Sequence, residues 1–193
     1  MAQSTAHHVM IAGTGQMGLV MADALCHRGI RVSMWGPRSE TVDRLSADRC
    51  MPDRLDGLRL PADVVITTDP AEACAGATVL MNAIPTQYMR GVWDRLMPCT
   101  NPGTPCVSTS KGIENETLLR PTEILVECAR EVHGVAASSA VLSGPTIAAE
   151  LAHRLPAALI AASDDLVFAE LVQDLLNVPW IRTYTLEDPV GVE

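Results

Sequence analysis

A glycine-rich run near the N-terminus is the first segment whose composition indicates ligand chemistry. The run Gly13-Thr14-Gly15-Gln16-Met17-Gly18 has the spacing G-x-G-x-x-G, follows an apolar segment and precedes an amphipathic one. In this context Gly13 allows a tight turn, Gly15 lets the backbone approach a diphosphate, and Gly18 permits close packing of helix on strand. The helix N-terminus then presents N–H groups to phosphate oxygens. The run predicts a dinucleotide-binding loop; the alternative is a glycine-rich turn that binds nothing.

The end of the second apolar segment is where contacts with an adenosine ribose are expected. An acidic residue there favours NAD, whereas a nearby arginine accommodates the 2′-phosphate of NADP. The sequence has Trp35-Gly36-Pro37-Arg38 at this point, without an acid. Arg38 therefore favours NADP or the use of both cofactors, unless it is only a solvated side chain where a helix starts.

Lys111 is the single lysine of the chain, against thirteen arginines. It lies in Ser108-Thr109-Ser110-Lys111-Gly112-Ile113-Glu114, directly after a short apolar run. A compact ammonium is a point-charge partner for a phosphate or hydroxyl oxygen, and a planar guanidinium does not replace it. We expect Lys111 to bind such an oxygen; the alternative is a lone surface lysine.

Two further turns follow apolar runs and have the composition of strand ends. In Ala83-Ile84-Pro85-Thr86-Gln87, Pro85 ends a strand and Thr86 can cap the next helix. In Leu142-Ser143-Gly144-Pro145-Thr146, a sharp turn precedes Thr146, which is a candidate N-cap beside an anion-binding or substrate-binding loop. Each turn is also explained by structure alone.

The elements that must position these segments are short apolar runs that alternate with amphipathic stretches. The runs predict strands at Val9–Ala12, Val32–Trp35, Val64–Thr67, Val79–Ala83, Cys106–Ser108, Val141–Ser143 and Ala157–Ala162. The amphipathic stretches predict helices at Met17–Arg28, Ser39–Arg49, Gln87–Leu96, Pro121–His133 and Asp165–Leu176. This alternation predicts an α/β fold of the Rossmann type, a doubly wound, mainly parallel sheet with helices on both faces. Ligands bind such sheets at the carboxyl ends of the strands, where all five segments fall.

Composition excludes several classes of function. A net charge of −9 and only 3% aromatic residues argue against nucleic-acid binding. The six cysteines have no C-x-x-C spacing, so neither a metal site nor a redox motif is predicted. The histidines are expected at the surface. Residues 1–8 lack the pattern of a signal peptide and no apolar stretch is long enough to span a membrane, so we expect a cytoplasmic protein.

The motifs together identify a family. Their order, G-x-G-x-x-G, Met34-Trp35-Gly36, Pro85-Thr86-Gln87, the Lys111-Gly112-Ile113-Glu114 run and the Gly144-Pro145-Thr146 turn, resembles bacterial NAD(P)-dependent glycerol-3-phosphate dehydrogenase. The tail is similar too, with Arg182-Thr183-Tyr184 and Asp188–Glu193 matching the R-x-Y and D-x-x-G-V-E of that family. The resemblance implies hydride transfer between dihydroxyacetone phosphate and sn-glycerol 3-phosphate with NADH or NADPH, a step toward glycerophospholipid precursors.

The resemblance also implies roles for individual residues. With the residues already named, the predicted cofactor-binding set is Gly13, Gly15, Gln16, Met17, Gly18, Pro37, Arg38, Pro85, Lys111 and Ala148. The predicted contacts of the small phosphorylated substrate are Lys111, Gly144 and Thr146. The family usually has an aromatic residue where this chain has Met17, and often Arg or His where it has Pro37, so the preference for NAD or NADP stays open.

The resemblance predicts a longer protein. The family continues after G-V-E into a helical domain that begins with a G-A-L-K-N-like segment, whose lysine is the catalytic base. We therefore expect a cofactor domain at residues 1–184 and the start of a connection at 185–193, and no catalytic residue is assigned within the chain. The 193 residues alone are predicted to be inactive. A homodimer of the full-length enzyme stays open.

Two alternatives stay open as well. One is the cofactor domain of a related two-domain dehydrogenase, of the ketopantoate reductase or hydroxyisobutyrate dehydrogenase type, although Lys-Gly-Ile-Glu paired with Ser-Gly-Pro-Thr argues against it. The other is a catalytically silent module that senses or sequesters NAD(P).

Overall fold

A computed structural model describes residues 7–193, which form one eight-stranded sheet with helices on both faces. The strands are β1 (His8–Ala12), β2 (Arg31–Trp35), β3 (Val65–Thr67), β4 (Val79–Asn82), β5 (Cys106–Ser108), β6 (Ser139–Ser143), β7 (Ala157–Ala162) and β8 (Ile181–Leu186). The helices are α1 (Gln16–His27), α2 (Ser39–Asp48), α3 (Pro70–Cys74), α4 (Thr86–Leu96), α5 (Pro121–His133), α6 (Ala148–Ala152), α7 (Leu166–Leu176) and α8 (Pro189–Val192).

The strand order is β3-β2-β1-β4-β5-β6-β7-β8. Neighbouring strands are parallel from β3 to β6, β7 runs antiparallel to β6, and β8 is parallel to β7. The predicted doubly wound, mainly parallel α/β fold is therefore confirmed. The chain reverses its direction of winding between β1 and β4, and ligands bind at such a switch point, outside the carboxyl ends of the strands.

The core lies on both faces of the sheet, as the continuous apolar runs require. Alternate residues of β1 show this directly, because Val9 and Ile11 belong to one buried cluster while Met10 and Ala12 belong to the other. Side chains of successive strand residues point to opposite faces. Both faces of the central strand β1 are therefore covered, and a ligand can approach it only beyond its carboxyl end.

Strand β8 was missed by the sequence analysis. Its residues alternate between buried Ile181 and Thr183 and exposed Arg182 and Tyr184, so it lacks the continuous apolar run used to find strands. That alternation is typical of a strand at the edge of a sheet, where one face meets solvent. The short helices α3, α6 and α8, of four or five residues each, were also not predicted.

The C-terminal segment is folded against the sheet domain. Strand β8 continues to Leu186, and the Glu193 carboxylate is fully buried, accepting hydrogen bonds from the Thr122 backbone N–H (2.7 Å) and Arg120 (3.0 Å). The predicted boundary after residue 184 stays a prediction, and residues 1–6 of the predicted domain lie outside the described part. Within residues 7–193 no helix has the length and apolar character needed to cross a bilayer.

Candidate functional site

The glycine loop joins β1 to α1, and two of its glycines are demanded by the fold. Gly13 has φ +122° and donates its N–H to the Trp35 carbonyl at 2.8 Å. A Cβ at Gly13 would lie 2.7 Å from the Ala83 oxygen, and one at Gly18 would lie 2.2 Å from the Gly13 oxygen. Both positions therefore exclude a side chain, because backbone atoms occupy the space.

Gly15 is different, since a Cβ there would meet no protein atom within 4 Å. It has extended backbone (φ −81°, ψ 179°) and is the N-cap of α1, where it has no side chain to occupy the first N–H groups. A glycine that neither the backbone conformation nor neighbouring protein atoms require indicates an approach path for a ligand. The first turn of α1 contains no acidic residue, so its N–H groups face no competing carboxylate within the helix.

A cavity of about 730 Å³ opens beside this loop. It extends from the start of α2 to the first turns of α4 and is lined by Gly13, Thr14, Gly15, Pro37, Arg38, Thr41, Arg54, Ala83, Ile84, Pro85, Gln87, Tyr88, Gly91 and Val92. Its size is in the range of small-molecule sites. The predicted residues Gly13, Gly15, Pro37, Arg38 and Pro85 therefore lie together around one cavity.

The other predicted cofactor residues do not line this cavity. The Gln16 side chain instead donates to the Arg54 carbonyl, and half-buried Met17 packs against the core. Gly18 is buried in α1, and Ala148 also packs against the core. Lys111 is exposed at the end of β5.

The strand order sets the sequence of loops along the carboxyl edge. Because β2, β1, β4, β5 and β6 are neighbours, the loops carrying Arg38, Gly15, Pro85, Lys111 and Gly144 follow one another in that order. The first three surround the cavity, and the loops with Lys111 and Gly144 lie next along the edge. An extended ligand in the cavity would therefore have one end directed toward Lys111.

The Lys111 loop is held by the first turn of α4. The Thr86 hydroxyl donates to the Lys111 carbonyl at 2.7 Å. The Gln87 amide donates to the Ile113 carbonyl at 2.7 Å and accepts from the Asn115 N–H at 3.0 Å. Gln87 thus pairs with the loop backbone on both sides of residue 114, as a neighbouring strand would.

An ion-pair network centred on the next turn of α4 also fixes the loop. Arg90 of α4 pairs with Glu114 at 2.8 Å and with Glu127 of α5 at 2.7 Å. The hydrogen bond from Arg90 lowers the pKa of Glu114, which also accepts from Thr117. The Lys111 ammonium has no carboxylate within 4.0 Å in residues 7–193, so its charge is available to an external anion.

A buried polar network beneath these loops was not found from the sequence. Asn82, fully buried at the end of β4, donates to the Ser110 hydroxyl at 2.7 Å and accepts from the Trp93 indole at 2.9 Å. The Thr109 hydroxyl donates to the Asn82 carbonyl at 2.9 Å. The network connects β4, α4 and the Lys111 loop. The sequence signal that could have revealed it is an asparagine that ends an otherwise apolar strand, because a buried amide needs hydrogen-bond partners.

Both predicted threonine caps are wrong. Thr86 is the first residue of α4, with Pro85 as N-cap, and its hydroxyl serves the Lys111 loop instead. Helix α6 starts at Ala148 with Ile147 as N-cap, one residue beyond Thr146. The Thr146 N–H donates to the Gly144 carbonyl, which closes the turn. A Cβ at Gly144 would lie 2.5 Å from the Ala158 oxygen, so the neighbouring strand requires this glycine.

The histidines and cysteines lie away from the carboxyl edge. His8 is buried rather than exposed, contrary to expectation, and its ring contacts the Ser33 hydroxyl at 2.9 Å. Burial lowers the pKa of His8. All six cysteines are free, and burial raises the pKa of Cys26, Cys74, Cys106 and Cys128 to about 12, which makes these thiols unreactive. Residues 7–193 contain no cluster of side chains that could hold a metal ion.

Comparison with known proteins points to one group. Over residues 8–169 the chain matches the family described as the N-terminus of NAD-dependent glycerol-3-phosphate dehydrogenase. It is 39% identical to a glycerol-3-phosphate dehydrogenase (NAD(P)+) of Geobacter metallireducens over 95% of this chain and 54% of that protein. A protein of the same name from Streptomyces avermitilis is 36% identical over 98% of this chain and 56% of that protein. The chain thus spans about half the length of these relatives.

Solved structures agree with this result. The glycerol-3-phosphate dehydrogenase of Coxiella burnetii superposes with a TM-score of 0.85 at 26% identity, covering 96% of this chain and 55% of that one. The 3-hydroxyisobutyrate dehydrogenase of Mycobacterium tuberculosis, from one of the alternative groups, gives a TM-score of 0.64 at 18% identity, covering 95% and 56%. The second likeness concerns the fold alone.

Proposed function

The chain belongs to the family of NAD-dependent glycerol-3-phosphate dehydrogenase N-terminal domains, and we propose that it is the NAD(P)-binding half of such an enzyme. The whole enzyme would interconvert sn-glycerol 3-phosphate and dihydroxyacetone phosphate by hydride transfer and so provide glycerophospholipid precursors. Six free cysteines are compatible with a reducing compartment, and we assign the protein to the cytoplasm.

The observation that carries this proposal is the order of loops along the carboxyl edge. The glycine loop, the Arg38 segment and Pro85 surround one cavity, and the Lys111 and Gly144 loops follow directly. A dinucleotide is long enough to need several neighbouring strand ends, and a phosphorylated substrate needs a cation beside its reactive end. The arrangement provides both in the required order.

The residues also fit the cofactor. The space beside Gly15 is open where a diphosphate would approach, and the α1 N-terminus presents its N–H groups there. The charged residues that line the cavity are arginines, which suits an anionic ligand. We assign cofactor contacts to Gly13, Gly15, Gln16, Met17, Gly18, Pro37, Arg38, Pro85, Lys111 and Ala148, with Gln16, Met17 and Gly18 contributing backbone rather than side chains.

The substrate contacts are assigned to Lys111, Gly144 and Thr146. When bound, the nicotinamide cofactor supplies or accepts the hydride. Lys111, whose backbone is held by α4, would bind a phosphate or carbonyl oxygen through its ammonium and polarise the substrate toward hydride transfer. The Gly144 turn would close the substrate pocket with backbone groups, since its glycine brings the turn against β7. The proton transfer is assigned to a lysine of the helical domain that the family resemblance implies.

Calorimetric titration of the 193-residue protein with NADH and with NADPH tests the proposal. We expect dissociation constants on the order of 10 to 500 µM, because one domain alone buries only part of the ligand. AMP, which lacks the diphosphate and nicotinamide, should bind more weakly than either cofactor. If neither dinucleotide binds at millimolar concentration, the proposal is wrong.

A further inference from the structure

The charge of the cofactor cavity contrasts with that of the chain. Arg38 and Arg54 are the charged residues among those that line it, and no carboxylate is among the lining residues. The chain as a whole has a net charge of −9. Acidic side chains are therefore kept away from this cavity while two guanidinium groups border it, although the sequence analysis assigned a function to Arg38 only.

The carboxylate next to Arg54 in sequence is already paired. Asp53 accepts hydrogen bonds from both terminal nitrogens of Arg44, at 2.7 and 3.0 Å, and this contact lowers the pKa of Asp53. Within residues 7–193, Arg54 has no carboxylate within 4.0 Å. Because Asp53 is hydrogen-bonded to Arg44, Arg54 has no direct ion pair with it and stays available to a ligand in the cavity.

The position of Arg54 relative to the glycine loop is fixed by a direct contact. The side-chain amide of Gln16 donates to the Arg54 carbonyl. Gln16 follows Gly15 and is the first residue of α1, so the contact holds Arg54 beside the N-terminus of that helix. Arg38, in contrast, lies at the carboxyl end of β2, just before α2. The two arginines therefore border the cavity at different points.

We infer that Arg54 binds the diphosphate of the cofactor, and that it contributes to the binding of NAD(H) and NADP(H) alike. The α1 N-terminus supplies N–H donors to this group, and Arg54 supplies the positive charge that the glycine loop lacks. Arg38, near the expected ribose, is left to distinguish the two cofactors. The inference rests on the proposed function, because it assumes that a dinucleotide occupies the cavity.

The test is calorimetry with NADH, NADPH and ADP-ribose on the wild type, Arg54→Gln and Arg54→Lys. Arg54→Gln should weaken all three ligands by about the same factor, roughly 5- to 30-fold, because all contain the diphosphate. Arg54→Lys should retain part of the affinity, since it keeps the charge. The loss should shrink at high salt, which screens an exposed contact. The main-chain carbonyl that Gln16 contacts is kept in both variants.

Arg59→Gln is the matched control, because Arg59 lies on the same loop but does not line this cavity. Its ligand affinities and thermal unfolding should equal those of the wild type. If Arg54→Gln weakens NADPH alone, Arg54 contacts the 2′-phosphate and the inference is wrong. Unchanged affinities for all three ligands would also overturn it, while leaving the proposed function intact. A wild type that binds no dinucleotide would overturn both.

Discussion

Substitution of Gly15 and of Gly18 should have opposite consequences, although both belong to the same glycine motif. A Cβ at Gly18 would lie 2.2 Å from the Gly13 oxygen, whereas one at Gly15 meets no protein atom within 4 Å. Gly18→Ala therefore forces backbone to move, and Gly15→Val fills open space beside the cavity. The first substitution tests the fold, and the second tests the ligand.

The magnitudes follow from these contacts. Overpacking against backbone costs about 1–3 kcal/mol, and for a domain of this size each kcal/mol lowers Tm by about 2–4 °C. Gly18→Ala should therefore lower Tm by roughly 2–12 °C. Gly15 has extended backbone, which valine adopts readily, so Gly15→Val should cost about 1 kcal/mol or less through poorer N-capping. Its affinity for NADH and NADPH should nevertheless fall at least about tenfold.

Thermal unfolding with and without millimolar NADPH measures both effects in one experiment. The wild type should gain Tm with the ligand, whereas Gly15→Val should unfold near the wild-type temperature without ligand and gain clearly less Tm with it. Gly15→Ala, with a smaller side chain, should show an intermediate gain. A Gly15→Val protein that binds NADPH as well as the wild type would refute the argument that the ligand passes beside Gly15. A Gly18→Ala protein with unchanged Tm would refute the packing argument.

Four other outcomes are expected. Arg38→Gln should weaken NADPH more than NADH in calorimetry, because only NADPH carries the 2′-phosphate; equal losses would show that Arg38 does not contact that group. The 193-residue protein should leave dihydroxyacetone phosphate unreduced in an NADPH-oxidation assay, because its single lysine is assigned to substrate contact. In a longer protein with the helical domain, Lys111→Ala and Lys111→Arg should both reduce turnover severely, and full activity of Lys111→Arg would contradict the role of a compact ammonium. Burial lowers the pKa of His8 below 6.5, so below that pH the unfolded chain binds a proton more readily than the folded chain does. The free energy of unfolding should therefore fall as the pH drops through about 6.5 toward the pKa of the folded state. Urea unfolding at about pH 7.5 and 5.5 measures this loss, which His8→Asn should reduce; an equal loss in that variant would assign it to other groups.

The fold could be predicted because its signals are local. Continuous apolar runs and glycines at strand ends each act within a few residues. The order of the candidate loops along the sheet could be predicted for the same reason, since parallel strands bring their carboxyl ends to one edge. Gly13 and Gly18 lie so close to neighbouring backbone atoms that neither could carry a side chain, in agreement with the tight turn and close packing expected of them.

Some of the features that were missed depend on contacts between distant parts of the chain. Strand β8 pairs with β7, but its alternation of period two is a local signal that a search for continuous apolar runs does not detect. Arg54 reaches the cavity because Gln16, at a separation of 38 residues, holds its loop. Asn82 meets Ser110 across a separation of 28 residues. The contact between Gln16 and Arg54 leaves no period or spacing in the sequence, so propensity and pattern cannot indicate it. Asn82, in contrast, is recognisable as an asparagine that ends an apolar strand.

The segment Pro85-Thr86-Gln87 shows how a local rule can locate the start of a helix and still assign the wrong role to its threonine. A threonine after a strand favours capping, yet Thr86 and Gln87 both direct their side chains to the backbone of the Lys111 loop. Strand β5 is only three residues long and ends at Ser108. Beyond it, three side-chain contacts from one turn of α4 hold the loop in place of strand pairing. The position of Lys111 is therefore set by α4, which also lines the cofactor cavity through Gln87. Because one turn of helix borders the cavity and holds the backbone of Lys111, displacement of that turn would disturb the proposed cofactor and substrate sites together.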